Sequence, residues 1–494
     1  MTPPARPELS PLGRRGLTFA LAGGLLLCWP MLAAGGPVVF ADSGSYFEQG
    51  AAMARWLSGQ LDALWAGAAA TATGTAPSPA ADHAPAGSLG DLRTRASEIR
   101  SLPYALVAHV SSATPLGRLG LAWAQGTMIL MLLWPLVADA WRSAPRMAGA
   151  LALGAALLTP LPLLTSYLMP DVFGGAVVLF ALLLLGPVDR VPAAGRAALL
   201  LLAAFAIMTH YGNLPLAAAC IAAALAVAAW QGRFGARLLA LGTAPLALAL
   251  AVNLAGSLVV SGGQTPSVTP QRMPILLARS MEDGPARWYL EEKCPARALA
   301  VCEVFPDGLP DTVHAILWGP GGLSSLDRAT LDRVREEEPR ILAGAFLRYP
   351  MAQARSLVGN ALRQFRLISL GNHSTAREAP SEDVRGLTVP ASDGPFPLRG
   401  PLARLYLASY VAGLAGLVLV VLWPRHSTGP AAREAALLVL LGLAVNAAVF
   451  GGLSAPAPRY QTRVAWLAPL LAALLWWRPR AGTRAPPVPG PDGR

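Results

Sequence analysis

Asp42-Ser43-Gly44-Ser45-Tyr46 sets a carboxylate and a phenol just after the first long apolar run, Gly16 to Gly36. Three more polar clusters interrupt apolar sequence: Tyr167 and Asp171 in Ser166-Tyr167-Leu168-Met169-Pro170-Asp171, His210, Tyr211 and Asn213 in the turn that begins at Thr209, and Arg459, Tyr460 and Arg463 late in the chain. A positioned carboxylate can take the proton of an attacking hydroxyl. A guanidinium fork matches phosphate by paired hydrogen bonds. Each residue also has a plainer reading. Asp42 and Asp171 are suitable helix caps, His210 suits a hydrogen-bonded interfacial position, and the arginines suit interface anchors. The set carries more weight than any member, because ionisable groups near hydrocarbon are costly and tend to be kept for function.

The elements that must position these residues are membrane helices. The chain has 494 residues, 54% hydrophobic and 14% charged, against about a quarter charged in an ordinary soluble domain. Its apolar runs are long enough to cross ~30 Å of hydrocarbon as helices. The sequence predicts an all-α polytopic membrane protein with ten helices: 16–36, 116–138, 147–166, 171–188, 197–212, 213–230, 237–260, 403–423, 435–453 and 462–477. The stretches 147–188 and 197–230 are each too long for one helix, so each is expected to fold as a tight hairpin turning at Tyr167 to Asp171 and at His210 to Asn213. A cleaved leader is the alternative for the first run, but its apolar part is long for one, and a retained helix is the reading adopted. Leu27 before Cys28 does not suit a lipoprotein cleavage site.

The net charge is +11, with Lys293 the only lysine against 38 arginines. The charge is unevenly spread. One set of connections, including both termini, carries +10, and the other carries +1. The positive-inside rule assigns the first set to the cytoplasm, so no nucleic-acid partner is needed to explain the charge. Asp42, Asp171, His210, Arg459 and Arg463 then share the outer face of an inner (plasma) membrane, looking into the periplasm or outside.

Two large outer connections follow, 37–115 and 261–402. They divide the chain into an N-terminal transmembrane module (1–260), an outer loop domain (261–402), a C-terminal transmembrane module (403–480) and a cytoplasmic tail (481–494). In the first connection, Ser45 to Trp65 is an amphipathic helix by spacing, suited to a membrane surface, and Ala66 to Gly87 reads as a flexible Ala/Thr/Pro/Ser-rich patch. In the second, Cys294 and Cys302 are expected to form a disulfide in an oxidising compartment. Ser324-Ser325-Leu326-Asp327 suggests a capping box opening a helix through Glu338. Pro339 and Pro350 suit the first turns of two more helices. The last has Met351, Ala354, Val358, Leu362 and Phe365 at helical spacing, with Arg355 and Arg363 on its other face, as for a helix on the outer leaflet.

With these features in view, the sequence resembles the GT-C superfamily of integral membrane glycosyltransferases, which includes protein O-mannosyltransferases and lipid A aminoarabinose transferases. The resemblance rests on an Asp after the first helix, a long first outer loop, the Tyr167-Leu168-Met169-Pro170-Asp171-Val172-Phe173 turn, the His210 turn, and Arg459-Tyr460 followed by Arg463. It implies a donor sugar on a polyprenyl phosphate and a glycan, lipid or protein acceptor in a membrane-lipid setting. Asp42 would be the general base. Asp171 would orient a substrate or share a divalent cation with Asp42. Arg459 and Arg463 would hold the phosphate, and Tyr46, Tyr167, His210, Tyr211, Asn213 and Tyr460 would complete substrate binding. Protein mannosyltransferases have two adjacent acids after the first helix. Here Ser43 follows Asp42, so a cation there lacks its second carboxylate, and no cofactor is implied with certainty. A polysaccharide polymerase or ligase of the cell envelope is the main alternative, relying more on Arg and His. A transporter would place ionisable groups at mid-membrane, where this sequence has almost none.

The charge split predicts that a reporter fused after Arg480 is active only in the cytoplasm and one near Gly308 only outside. Activity of the Gly308 fusion in the cytoplasm would contradict the ten-helix arrangement.

Overall fold

A computed structural model describes residues 10–73, 100–261, 272–294, 299–382, 384, 386–423 and 430–476. The protein is mostly helical. Among the described residues six helices are long and apolar enough to cross a membrane: Arg14–Ala34, Gly117–Ser143, Asn213–Trp230, Ala236–Val260, Arg399–Leu422 and Ala431–Gly452. Pro145–Leu158, Pro170–Leu183 and Ala193–Met208 are shorter apolar helices. The protein is therefore membrane-embedded by its helices.

Prolines explain where the expected helices break. The first run divides into Arg14–Leu26 and Trp29–Ala34, with Pro30 in the opening turn of the second piece. The expected 147–166 helix is interrupted where Thr159 turns extended ahead of Pro160, the conformation a following proline favours. The last run splits into Pro458–Ala465 and Leu467–Trp476, and Pro469 has no N–H to bond back to Ala465. Two readings of the second connection need correction. The cap of the Arg328–Arg348 helix is Asp327, whose side chain accepts from the Thr330 N–H, and Ser324 lies in a separate 3₁₀ turn. Pro339 does not start a helix but sits inside this one. Leu331, Val334, Glu338, Ile341 and Ala345 are buried along one face of it, and their packing keeps the helix continuous across the lost hydrogen bond.

The first connection is more helical than expected. Ser43–Thr73 is one helix, and Leu102–Ser112 is a second that the sequence reading treated as loop. Ala66 to Thr73 continue the first helix, while the rest of the Ala66 to Gly87 patch and the 481–494 tail lie outside the described residues.

Among the described residues the fold departs from all-α in one place, a three-stranded antiparallel sheet. Strand β1 (Val38–Val39) pairs with β2 (Ser374–Pro380), which pairs with β3 (Thr388–Pro395). The register sets Val38 opposite Thr375. Residues 261–402 are thus shared between two cores. Leu277, Met281, Leu290, Ile316 and Leu331 belong to a core of their own, whereas Ile368, Leu370, Val389 and Phe396 join the large core of the helical bundle. Cys294 and Cys302 are joined by a disulfide with a Cα–Cα distance of 5.7 Å.

The two ends of the bundle differ. At one end Asp139 meets both Arg142 and Arg190, Gln231 meets Glu434, and Arg233 donates to the Leu185 carbonyl. These contacts gather connections that the charge count grouped on one side. The Phe173–Leu183 helix runs from that end to Asp171 at the other.

Helices Ser43–Thr73 and Leu102–Ser112 pack so closely at Gly50 that a Cβ there would overlap the Ala105 carbonyl. Gly50→Ala should destabilise the detergent-solubilised protein by ~1–3 kcal/mol, as overpacking does. Gly59 lies on the same helix with nothing within 4 Å, so Gly59→Ala should be neutral or stabilising by up to ~1 kcal/mol. Thermal unfolding of the two variants checks the contrast.

Candidate functional site

The sheet joins segments far apart in sequence. Val38 also bridges to Tyr167, and its carbonyl accepts from the Leu168 N–H at 2.9 Å. The end of the first span, the Tyr167 to Asp171 turn and the 372–376 segment are thereby held together. Just beyond β1, the Phe40 N–H donates to Ser43 Oγ at 3.1 Å and the Ser43 N–H to the Phe40 carbonyl at 3.0 Å. This tight turn starts the Ser43–Thr73 helix and carries Asp42 at its tip.

The arginines come from the Pro458–Ala465 helix. Its start is fixed by buried Gln364, which donates to the Ala457 carbonyl at 3.0 Å and accepts from the Ala457 N–H at 2.8 Å. Arg463 is 0% exposed. Its Nη2 donates to Asn213 Oδ1 at 2.8 Å and its Nε to Asn446 Oδ1 at 3.0 Å. The guanidinium lies over the Phe450 ring at 3.9 Å, and Gly174 leaves room for it, since a Cβ there would press on Nε. The Asn213 amide is itself oriented by donating to the Ala206 carbonyl at 2.8 Å. A buried cation is thus held by two amides and a ring face, with no ion pair to a carboxylate among the described residues.

Arg459 is 8% exposed and sits between two rings, with Phe40 at 4.5 Å and Tyr460 at 4.9 Å. Such stacking suits guanidinium in particular. Its Nη2 donates to the Tyr460 hydroxyl at 3.2 Å, and Nη1 approaches Asp42 Oδ2 at 3.5 Å. The other Asp42 oxygen meets Arg100 Nη2 at 3.0 Å. Ser101 anchors this neighbour by donating to the Met208 carbonyl at 2.8 Å while accepting from the Tyr104 N–H to cap the Leu102–Ser112 helix. Asp42 therefore bridges two cations from different connections, and its side chain stays 20% exposed.

Asp171 lies deeper, at 1% exposure. Both of its oxygens, together with Nη1 of Arg459 and Nη1 of Arg463, are buried without a hydrogen bond among the described residues. Arg459, Arg463 and Asp42 are the charges that act on it. Tyr46 and Tyr167 close the cluster. Burial holds both phenols well above their ordinary pKa, with Asp171 and Asp42 adding to the effect and Arg459, preceded at Tyr46 by Arg100, opposing it. Tyr46 also meets Tyr104 edge-on at 5.0 Å. The Tyr167 hydroxyl donates to the Asn372 carbonyl at 3.2 Å. His210 Nδ1 accepts from the Gly212 N–H at 3.1 Å, which leaves Nε2 as the donor nitrogen of a neutral ring. That ring stands edge-on to Phe450 at 5.1 Å. Tyr211 is half-buried in the same turn.

The structure therefore brings Asp42, Tyr46, Tyr167, Asp171, His210, Asn213, Arg459, Tyr460 and Arg463 into one neighbourhood. Sequence reasoning missed Phe40, Arg100, His373 and Asn446. Asn446 was legible in principle, as the one amide in the apolar run 435–453. Arg100 and His373 depend on pairings across long connections, for which no local pattern exists. As a divalent-cation site the cluster fits poorly. Among the described residues no three His, Cys, Asp or Glu converge, and each carboxylate already faces two guanidiniums, Arg100 and Arg459 at Asp42 and Arg459 and Arg463 at Asp171. The arrangement instead suits an anion at the arginines and proton acceptance at a carboxylate. Comparison with models of protein families, with curated proteins and with solved structures gave no match.

His373 stacks on Tyr167 with ring centroids 4.5 Å apart. Burial pushes its pKa from 6.5 down to about 3; the Leu370 backbone opposes the shift and the Arg459 charge adds to it. The unfolded chain takes up this proton near pH 6.5, and the folded ring refuses it until about 3. Stability from this residue is therefore lost as pH falls through that window. His373→Phe keeps the stacking and should flatten the acid limb of a melting-temperature profile, with little change at pH 8. An unchanged acid limb would contradict the assignment.

Proposed function

We propose that the protein is an integral-membrane glycosyltransferase that moves a sugar from a polyprenyl-phosphate donor to an acceptor hydroxyl on the extracytoplasmic face. The observation that carries this reading is the meeting of Asp42 and Asp171 with Arg459 and Arg463 at one end of an apolar helical bundle. A lipid-borne phosphate supplies the anion that such a pair of guanidiniums fits, and helices supply access from the bilayer.

In the reaction, the acceptor oxygen bonds to the anomeric carbon as the bond from that carbon to the phosphate oxygen breaks. The acceptor proton passes to Asp42. The electron pair of the broken bond stays on the phosphate, where Arg459 and Arg463 stabilise the charge. Attack opposite the leaving group gives inversion. Arg459 links these two tasks. Its Nη1 faces Asp42 Oδ2 at 3.5 Å. A phosphate drawn to Arg459 competes for that guanidinium and loosens its hold on the carboxylate, which becomes a better base once the donor is in place. Asp171 and His210 orient hydroxyl groups near the reacting carbon, with Tyr46, Tyr167, Tyr211, Asn213 and Tyr460 lining the substrate space.

A second reading is a cell-envelope polysaccharide polymerase or ligase that relies on Arg and His. It is favoured by the double pairing of Asp42 with Arg100 and Arg459, which would make that carboxylate an electrostatic strut. Asp42→Asn separates the two readings. As general base, Asp42 contributes a factor of roughly 10²–10⁴, so sugar transfer by purified Asp42→Asn should fall by about that much while the protein stays folded. Arg459→Lys should also impair transfer, because lysine keeps the charge and loses the fork. Near-normal turnover in Asp42→Asn would reject it as the base.

A further inference from the structure

The Pro350–Arg366 helix is packed the reverse of a soluble one. Its buried residues are Gln353 and Gln364, and Asn360 on the same face donates to Asp283 Oδ2 at 2.7 Å. Gln353 accepts from the Ser280 hydroxyl at 2.7 Å, and Gln364 clamps Ala457. These three polar residues spend their hydrogen bonds inside the protein. About half a turn away on the helix wheel, Met351 is 78% exposed, and Val358 and Leu362 are each 60% exposed. Leu347, at the end of the preceding helix, is 80% exposed. Arg355, Arg363 and Arg366 are exposed on the same helix; on the wheel Arg355 and Arg366 border this apolar face and Arg363 lies between it and the amide face. The sequence reading put Arg355 and Arg363 on the face opposite the apolar residues, but it is the glutamines and Asn360 that lie there.

Where this helix lies bears on what covers its apolar face. It crosses the end of the Ala431–Gly452 candidate span, with its backbone so close at Asn360 that a Cβ on Gly451 would press on the Asn360 carbonyl. It thus sits at the level where a membrane helix leaves the bilayer. We propose that Met351, Val358 and Leu362, with Leu347 beside them, are seated in the lipid interface, and that Arg355, Arg363 and Arg366 bind acidic phospholipid headgroups there. Charge complementarity singles out the lipid: a basic rim beside apolar side chains is how amphipathic helices bind anionic membranes. The inference does not depend on the proposed transferase activity. It has a structural consequence for the site, because Gln364 fixes the start of the helix that bears Arg459 and Arg463.

Spin labels at Met351→Cys, Val358→Cys and Leu362→Cys, one per variant, test this in the full-length protein. Cys28 and Cys220 are buried, and Cys294 and Cys302 are disulfide-bonded, so labelling is confined to the new thiol. In nanodiscs containing phosphatidylglycerol, the three labels should be more accessible to oxygen than to a water-soluble nickel chelate. A label at exposed Asp307→Cys should show the opposite. Adding Arg355→Glu and Arg363→Glu should shift the three labels toward water in phosphatidylglycerol discs. Labels that report water throughout would overturn the proposal. So would labels shielded from both reagents in a particle holding two copies of the chain, which would assign the face to a second copy. Equal seating in purely zwitterionic discs, unaffected by the glutamates, would overturn the acidic-headgroup assignment.

Discussion

Two guanidiniums have been taken almost wholly out of water at the end of a bundle of apolar helices, and much of the surrounding structure follows from keeping them charged there. An unpaired buried cation is so costly that the group normally neutralises or the site does not form. Arginine in practice does not give up its proton, so the fold must supply partners. For Arg463 these are two amides and an aromatic face, drawn from the Asn213–Trp230 helix, the Pro430–Ala447 helix and the π-turn that follows it. For Arg459 they are two rings, a phenol and the Asp42 carboxylate. Neither arginine is fully satisfied, since each keeps one buried nitrogen without a hydrogen bond among the described residues.

The sheet is small but joins the segments that carry the carboxylates. Strand β1 has only two residues, yet it links the end of the first span to the turn before Asp171 and to the chain returning from the second large connection. Together with the packing of the Ser43–Thr73 helix on Leu102–Ser112, it holds Asp42 in place, where its ion pairs at partial exposure would be worth little on their own. Gln364 has a matching role on the other side, joining the amphipathic Pro350–Arg366 helix to the start of the arginine-bearing helix. Backbone pairing and buried amides, more than ion pairs, set the geometry here.

The sequence made the apolar helices and the polar turns between them readable, because hydrocarbon demands long apolar runs and tolerates charge only at their ends. Asp42, Asp171, His210, Arg459 and Arg463 were found that way. What could not be read depends on contacts between distant segments. Strand β2 begins more than 300 residues after β1, and nothing local in Ser374–Pro380 announces its partner. Arg100 precedes a helix within a connection that looks like loop, and its role as a partner of Asp42 appears only after folding. Pro339 shows the converse: a strong local signal was overridden by one continuous buried face.

The central claim is that this end of the bundle consumes a lipid-phosphate-linked sugar, and the pool of such lipids in cells tests it most directly. The account predicts that deleting the gene makes one polyprenyl-phosphate sugar accumulate and that restoring the intact chain returns it to its former level. A lipid-linked sugar pool that is unchanged by the deletion would contradict the account.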